Sequence, residues 1–315
     1  MPSADPSYPA PPSTPDFLVI GAMKAGSTSF FVDLNAQPGI YVPEDKELGV
    51  LYHHADPADA ARAYAEEFAK APADKKLGDC TTGYSKLPET AGLAERARAV
   101  CGRDCKIIYI VRHPIDRLLS HYHHMYSKGM EWTLAESLDF AMSGGDGQVT
   151  TMTGLVDYSC YAMQLVPWRE AFGADHVMVI QFERYVKNRS AVLREACDFL
   201  GVEMRVEPDA SKAMNASDGK PKVINRFGQV RDSRLYRSVV RPVMPDGMKQ
   251  WLMHKLIPTA PPRLRKMDRA NFERVRECFE EDQRQLAAMC GWDGPPWDLE
   301  RFVDDASPAP ESASA

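Results

Sequence analysis

Long apolar runs are missing from this sequence of 315 residues. No stretch approaches the ~20 apolar residues that a membrane-crossing helix needs, and Met1 to Pro15 is Pro/Ser/Ala-rich without a basic-then-apolar leader pattern. The chain as given is therefore expected to stay in the cytoplasm. Cysteine pairs are missing too. The seven cysteines (80, 101, 105, 160, 197, 278, 290) are odd in number, scattered and without any Cys-x-x-Cys. That pattern argues against a disulfide scaffold or a cysteine zinc site and predicts reduced, mostly buried thiols, with Cys101 and Cys105 able to pair only in an oxidising compartment. An excess of positive charge is also absent. Lys and Arg number 38 against 44 Asp and Glu, a net −6, which argues against a globally basic nucleic-acid binder.

What is present is the composition of an ordinary soluble globular protein, 44% hydrophobic and 26% charged. Its charge is unevenly spread. Residues 211–269 hold fourteen Lys or Arg, four Asp and no Glu, a local balance of 14 − 4 = +10 that leaves −16 elsewhere. Residues 1–15 and 304–315 are Pro/Ser/Ala-rich and are expected to be disordered tails; 16–303 reads as one domain.

Three short continuous apolar runs, Phe17 to Met23, Lys106 to Val111 and His176 to Phe182, have the character of strands buried on both faces. Helical spacing follows each: Phe30, Phe31 and Leu34 after the first, a stretch opened by Pro114 after the second, and 190–200 closed by Gly201 after the third. A last long helix is expected from about Asn271 to Cys290, with Phe272, Val275, Phe279, Leu286 and Met289 inward and Gly291 ending it. Buried strands alternating with helices predict an α/β fold: a single P-loop-like domain with a central parallel sheet flanked by helices.

Two segments carry chemistry. Gly21-Ala-Met-Lys24-Ala25-Gly26-Ser27-Thr28-Ser29 places small residues, hydroxyls and a lysine between a strand and a helix N-terminus, where backbone N–H groups and the helix dipole favour an anion. The Walker pattern is nearly met, but Ser27 stands at its lysine position and the lysine is at 24, which argues against ordinary ATP or GTP hydrolysis. The second segment, Arg112-His113-Pro114-Ile115-Asp116-Arg117-Leu118-Leu119-Ser120, puts an arginine at a strand end and a hydroxyl two helical turns on, a combination suited to a second phosphate.

On these residues the sequence resembles the sulfotransferases that use 3′-phosphoadenosine 5′-phosphosulfate (PAPS), of bacterial and heparan-sulfate type. Val179 to Arg184, Phe199-Leu-Gly201 and Leu286 to Trp297 extend the resemblance over about 16–297. It implies that Lys24, Ala25, Gly26, Ser27, Thr28 and Ser29 hold the 5′-phosphosulfate, that Arg112 and Ser120 hold the 3′-phosphate, and that Phe182 stacks on adenine. Lys24 would also contact the transferring group. Lys46-Glu47 matches the family's Lys-Glu pair, which makes Glu47 the preferred general base and Lys46 its catalytic neighbour. His53, His54 and Asp79 are the alternatives. Sulfuryl transfer demands no metal, and no His/Asp/Glu cluster has metal spacing.

The resemblance also implies that the basic segment closes over the cofactor's 3′-phosphate as a lid, which makes Lys220, Lys222 and Arg226 cofactor candidates. Residues 223–266 could also meet an anionic acceptor, a second subunit or a membrane surface. The implied reaction is sulfuryl transfer to a hydroxyl, or an amine, of a small-molecule, lipid or saccharide acceptor, with no nucleic-acid partner. A P-loop kinase and a non-catalytic nucleotide-binding scaffold are the alternatives.

Overall fold

The computed structural model describes residues 13–43, 47–128, 130, 132–144, 153–209 and 264–305. Contacts among them group the chain into two compact units, Met1–Arg112 with Tyr161–Met214, and His113–Cys160 with Asn215–Ala315. The basic segment, with Lys220 and Lys222, lies outside the described residues as far as 263, and Lys46 lies outside them too.

The first unit is built on five parallel strands: β1 (Phe17–Gly21), β2 (Ile40–Tyr41), β3 (Lys76–Asp79), β4 (Lys106–Val111) and β5 (Val177–Gln181), in the order β2-β3-β1-β4-β5. The two central strands are almost wholly apolar. All five residues of β1 are buried, as are Ile107 to Val111 of β4, because neighbours line both edges and helices cover both faces. β3 went unseen in the sequence. It has four residues, one of them Gly78, and that glycine is required: a Cβ there would stand 2.1 Å from the Phe17 ring of β1.

Helices α1 (Ser27–Asn35), α2 (Val50–His53), α3 (Pro57–Glu67) and α4 (Leu93–Cys101) connect the first four strands. Later in the unit come α8 (Tyr161–Phe172), α9 (Phe182–Lys187) and α10 (Arg189–Leu200), the last ended by Gly201 in the left-handed conformation as expected. Crossovers leave β1 toward β3 and return on its other side to β4. The loops after these strands therefore part at the carboxyl edge of the sheet between β1 and β4, where α/β folds bind ligands.

α1 is clamped to α9 and α10 by one buried ion pair. Asp33 takes both arms of Arg189, Nε at 2.6 Å and Nη2 at 2.7 Å, and also accepts the Tyr185 hydroxyl. Bidentate geometry of this kind holds both the distance and the orientation of the helices.

The second unit packs α5 (Pro114–Ser127), α6 (Leu134–Met142), α7 (Gly154–Asp157) and α11 (Arg269–Cys290) around Leu118, Leu138, Leu155, Phe272, Val275 and Phe279. A two-stranded parallel pair, β6 (Met267–Asp268) with β7 (Val303–Asp304), closes it. Asp268 caps α11 by accepting from Asn271 N–H, and Gly291 ends it in the left-handed conformation. The helix is thus two residues longer at its start than its apolar spacing suggested. Arg117 is wholly buried in this unit, donating to Ser159 Oγ and Leu155 O, so it ties α5 to α7.

All seven cysteines are free thiols. Cys80, Cys105, Cys160 and Cys197 are buried, and in the second unit Cys160 Sγ lies 3.2 Å from Cys278 Sγ. Among the described residues no helix is long and apolar enough to cross a membrane.

Candidate active site

The loop after β1 is shaped by backbone conformation before any side chain acts. Lys24 adopts φ 70° and Gly26 φ 82°, both in the left-handed region. A lysine there costs about 1 kcal/mol, so the surrounding contacts hold the turn against local preference. At Gly26 no other residue fits: besides its φ, a Cβ would come within 2.1 Å of the Phe182 ring. Gly26 is also the N-cap of α1, with no side-chain cap and no acidic residue in the first turn. The positive end of that nine-residue helix thus opens on the loop with Ser27, Thr28 and Ser29 as its first three residues, an arrangement suited to phosphate or sulfonate oxygens.

Arg112, one residue past β4, reaches the same loop. Its Nη1 donates to the Lys24 carbonyl at 3.1 Å, and its guanidinium stacks 4.9 Å from the centre of the Phe182 ring. The structure therefore brings Lys24, Gly26, Arg112 and Phe182 into one cluster. Phe182 begins α9 directly after β5, and its ring packs against Gly26 and Arg112, which gives it a role in shaping the loop. Ser120 belongs to the second unit, where it lies on α5 and is buried.

Glu47 is exposed, and its Oε1 accepts from Thr82 Oγ1 at 2.8 Å. Thr82 belongs to a 3-10 turn, Thr82–Tyr84, that follows β3, and the next residue, Ser85, donates its N–H to Ile20 O of β1 at 3.0 Å. Through this turn the candidate base is tied to the strand from which the phosphate loop springs. His53, at the end of α2, is exposed and His54 is half-buried.

Asp79, weighed in the sequence as a base, is corrected to an interior role. It is wholly buried at the end of β3, with its carboxylate taken up by the hydroxyls of Thr81, Tyr64 and Tyr84 at 2.6–2.7 Å, so no acceptor can reach it. Burial raises its pKa, a shift that the three hydroxyl donors oppose. Burial likewise pushes the phenols of Tyr64 and Tyr84 well above their usual range, with the neighbouring Asp79 charge adding to it, so both remain proton donors. Thr82, Tyr84 and Tyr64 were not singled out from sequence. The run Thr81-Thr82-Gly83-Tyr84 advertised its hydroxyls, but Tyr64 carries no signal at all, since it meets them only through folding.

Residues 95–219 match the family model described as the sulfotransferase domain. The chain is 28% identical over 231 residues to heparan sulfate glucosamine 3-O-sulfotransferase 6 of Mus musculus, covering 72% of this chain and 64% of that protein. It is 25% identical over 209 residues to heparan sulfate glucosamine 3-O-sulfotransferase 3B1 of the same organism, covering 66% and 51%. The chain thus spans less than two thirds of the length of these curated relatives. Among solved structures, a sulfotransferase from Alicyclobacillus acidocaldarius shares the fold with a TM-score of 0.63 at 22% identity, over 89% of this chain and 97% of that one.

Proposed function

This chain is related in sequence and in fold to the sulfotransferases, and from that premise we propose that it transfers the sulfuryl group of PAPS to an acceptor hydroxyl. The observation that carries the reading is the cluster at the carboxyl edge of the sheet: a left-handed turn at Lys24 and Gly26, the uncapped start of α1, and Arg112 bonded to the Lys24 carbonyl. These groups fit PAPS by their chemistry. Backbone N–H groups, hydroxyls and two cations are what its anionic ends require, and Gly26, against whose Cα the Phe182 ring packs, keeps the turn that presents them.

In this reading Ala25, Gly26, Ser27, Thr28 and Ser29 line the anion cradle, Lys24 neutralises charge on the departing phosphate, and Arg112 holds the 3′-phosphate side. Ser120 remains the second candidate there. Glu47, oriented by Thr82, takes the acceptor proton as the new S–O bond forms and the S–O bond to the PAPS phosphate breaks, releasing 3′,5′-ADP. The catalytic domain is taken as 16–303. Because the relatives carry heparan sulfate glucosamine in their names, a glucosaminyl oligosaccharide is the first acceptor to test, ahead of lipids and small metabolites.

The test is incubation with PAPS and such an oligosaccharide, read by release of 3′,5′-ADP and a product mass gain of about 80 Da, the increment of the sulfuryl group (SO₃) that this in-line chemistry transfers to the acceptor hydroxyl. Glu47→Gln is expected to slow turnover about 10²- to 10⁴-fold with 3′,5′-ADP binding intact, whereas Lys24→Ala and Arg112→Ala weaken that binding. Tighter binding of ATP with Mg²⁺ than of 3′,5′-ADP would overturn the proposal, and unchanged turnover in Glu47→Gln would move the base to His53 or His54.

A further inference from the structure

Thr81 and Tyr84 do more than satisfy Asp79. A hydroxyl has one proton to donate and two lone pairs to accept with. Thr81 Oγ1 directs its proton to Asp79 Oδ1 at 2.6 Å, and Tyr84 directs its own to Oδ2 at 2.7 Å, where Tyr64 also donates. Their lone pairs are thereby turned toward the segment that carries Glu47. Gly49 N–H donates to Thr81 Oγ1 at 3.1 Å, and Leu51 N–H donates to the Tyr84 hydroxyl at 3.2 Å.

Both amides are structural pivots. Gly49 is the N-cap of α2 in the left-handed conformation, and Leu51 lies in the first turn of that short helix. Two further bonds join the same pair of segments, Thr82 to Glu47 and the Tyr52 hydroxyl to Gly83 O at 2.8 Å. A helix of four residues has almost no stability of its own. Its position is set by what it hangs from: Arg96 Nη1 holds the Leu51 carbonyl at 2.6 Å, and the Gly49 and Leu51 amides hang from hydroxyls aimed by one buried carboxylate.

We propose that Asp79, acting through the hydroxyls of Thr81 and Tyr84, is a positioning residue that fixes where the Glu47 segment sits against the edge of the sheet. This rests on the reading of Glu47 as the base. Were Asp79 a mere filler of the interior, its loss would lower stability without singling out the step that needs a placed base. Were it a positioning group, the loss would fall on turnover, since a misplacement of about 1 Å can cost ~100-fold in rate while leaving ligand binding at a separate loop unchanged.

Tyr84→Phe removes the acceptor for Leu51 N–H and keeps the ring; Thr81→Val removes the other acceptor, and Thr81→Ser restores it. Asp79→Asn tests the hub itself, and the milder variants decide the matter if it does not fold. Three quantities are read: 3′,5′-ADP release from PAPS with a glucosaminyl oligosaccharide, 3′,5′-ADP affinity by calorimetry, and hydrogen exchange of the Gly49 and Leu51 amides. Tyr84→Phe and Thr81→Val are expected to lower kcat roughly 10- to 100-fold, with KM for PAPS and 3′,5′-ADP affinity within about twofold of wild type. Exchange at the corresponding amide should accelerate, and Thr81→Ser should behave as wild type. Adding Tyr84→Phe to Glu47→Gln should cost little more than Glu47→Gln alone, because both act on one group. Losses that multiply in the double variant, a wild-type kcat, or unchanged exchange at both amides would each overturn the inference. If Glu47→Gln itself keeps full turnover, the base assignment fails instead, and the amide exchange still decides whether Asp79 holds the segment.

Discussion

Tyr52 shows how far the environment of the site departs from water at the level of one side chain. Its hydroxyl donates to Gly83 O at 2.8 Å, and its phenol is pushed up to about 12, by burial first and by the charge of Glu89 second. Below pH 10 folded and unfolded chains both hold that proton, so the group's contribution to stability is present in full and does not vary with pH. Between pH 10 and 12 the unfolded chain loses it first, and stability falls as pH rises. Urea unfolding of wild type and Tyr52→Phe at pH 9 and pH 11 should show the gap between the two shrinking at the higher pH. A gap that stays constant would place the Tyr52 phenol in ordinary solvent. The same scale shows what could be read from single residues. Lys24, Gly26 and Arg112 were legible because each stands one to five residues after an apolar strand, where the chain emerges at the sheet edge. Thr82 and Tyr84 were not, because their partners, at Glu47 and Leu51, come from another turn of the fold.

Among the secondary elements, α1 has the most to hold in place, since on the proposed reading its first turn is half of the anion cradle. Asp33, six residues beyond its first residue, pairs with Arg189 of α10, and the pair is nearly shut off from solvent on the carboxylate side. Removing one partner of such a pair leaves the other charge buried and costs about 3 kcal/mol. Arg189→Ala is therefore expected to lower the midpoint of chemical unfolding and, because α1 loses its anchor, to weaken 3′,5′-ADP binding as well. Calorimetry and urea titration on the same preparation check both, and a stability loss with full affinity would show that the clamp does not reach the loop. Elements differ in legibility for a physical reason. β1, β4 and α11 repeat one kind of residue at one period long enough to be seen, whereas β3 has four residues with Lys76 and Gly78 among them, and its neighbours β1 and β2 make it a strand.

At the scale of the whole molecule, the net charge of −6 conceals a local arrangement of opposite sign. Two cations, Lys24 and Arg112, stand where two adjacent strands end, and on the proposed reading they suffice for an anionic substrate in a chain of acidic average. The order β2-β3-β1-β4-β5 explains how: the two loops that carry Lys24 and Arg112 follow adjacent parallel strands, a neighbourhood no local pattern of sequence encodes. The approach of Cys160 to Cys278 is another such meeting, of residues 118 positions apart. Two thiols at that separation need only surrender two hydrogens to a mild oxidant such as peroxide, which leaves as water, to become a covalent tie. By the chain-entropy account, closing so long a stretch removes about 4–5 kcal/mol of freedom from the unfolded chain. Peroxide treatment is expected to remove Cys160 and Cys278 from the titratable thiols, link their two peptides in an unreduced digest and raise the melting temperature, and the Cys160–Cys278 link and its stabilisation should not occur in Cys278→Ser. Seven thiols surviving oxidation would refute it. With the tie formed, the protein's durability is written into the redox state of its surroundings: supple where reductants prevail, and fastened where they do not.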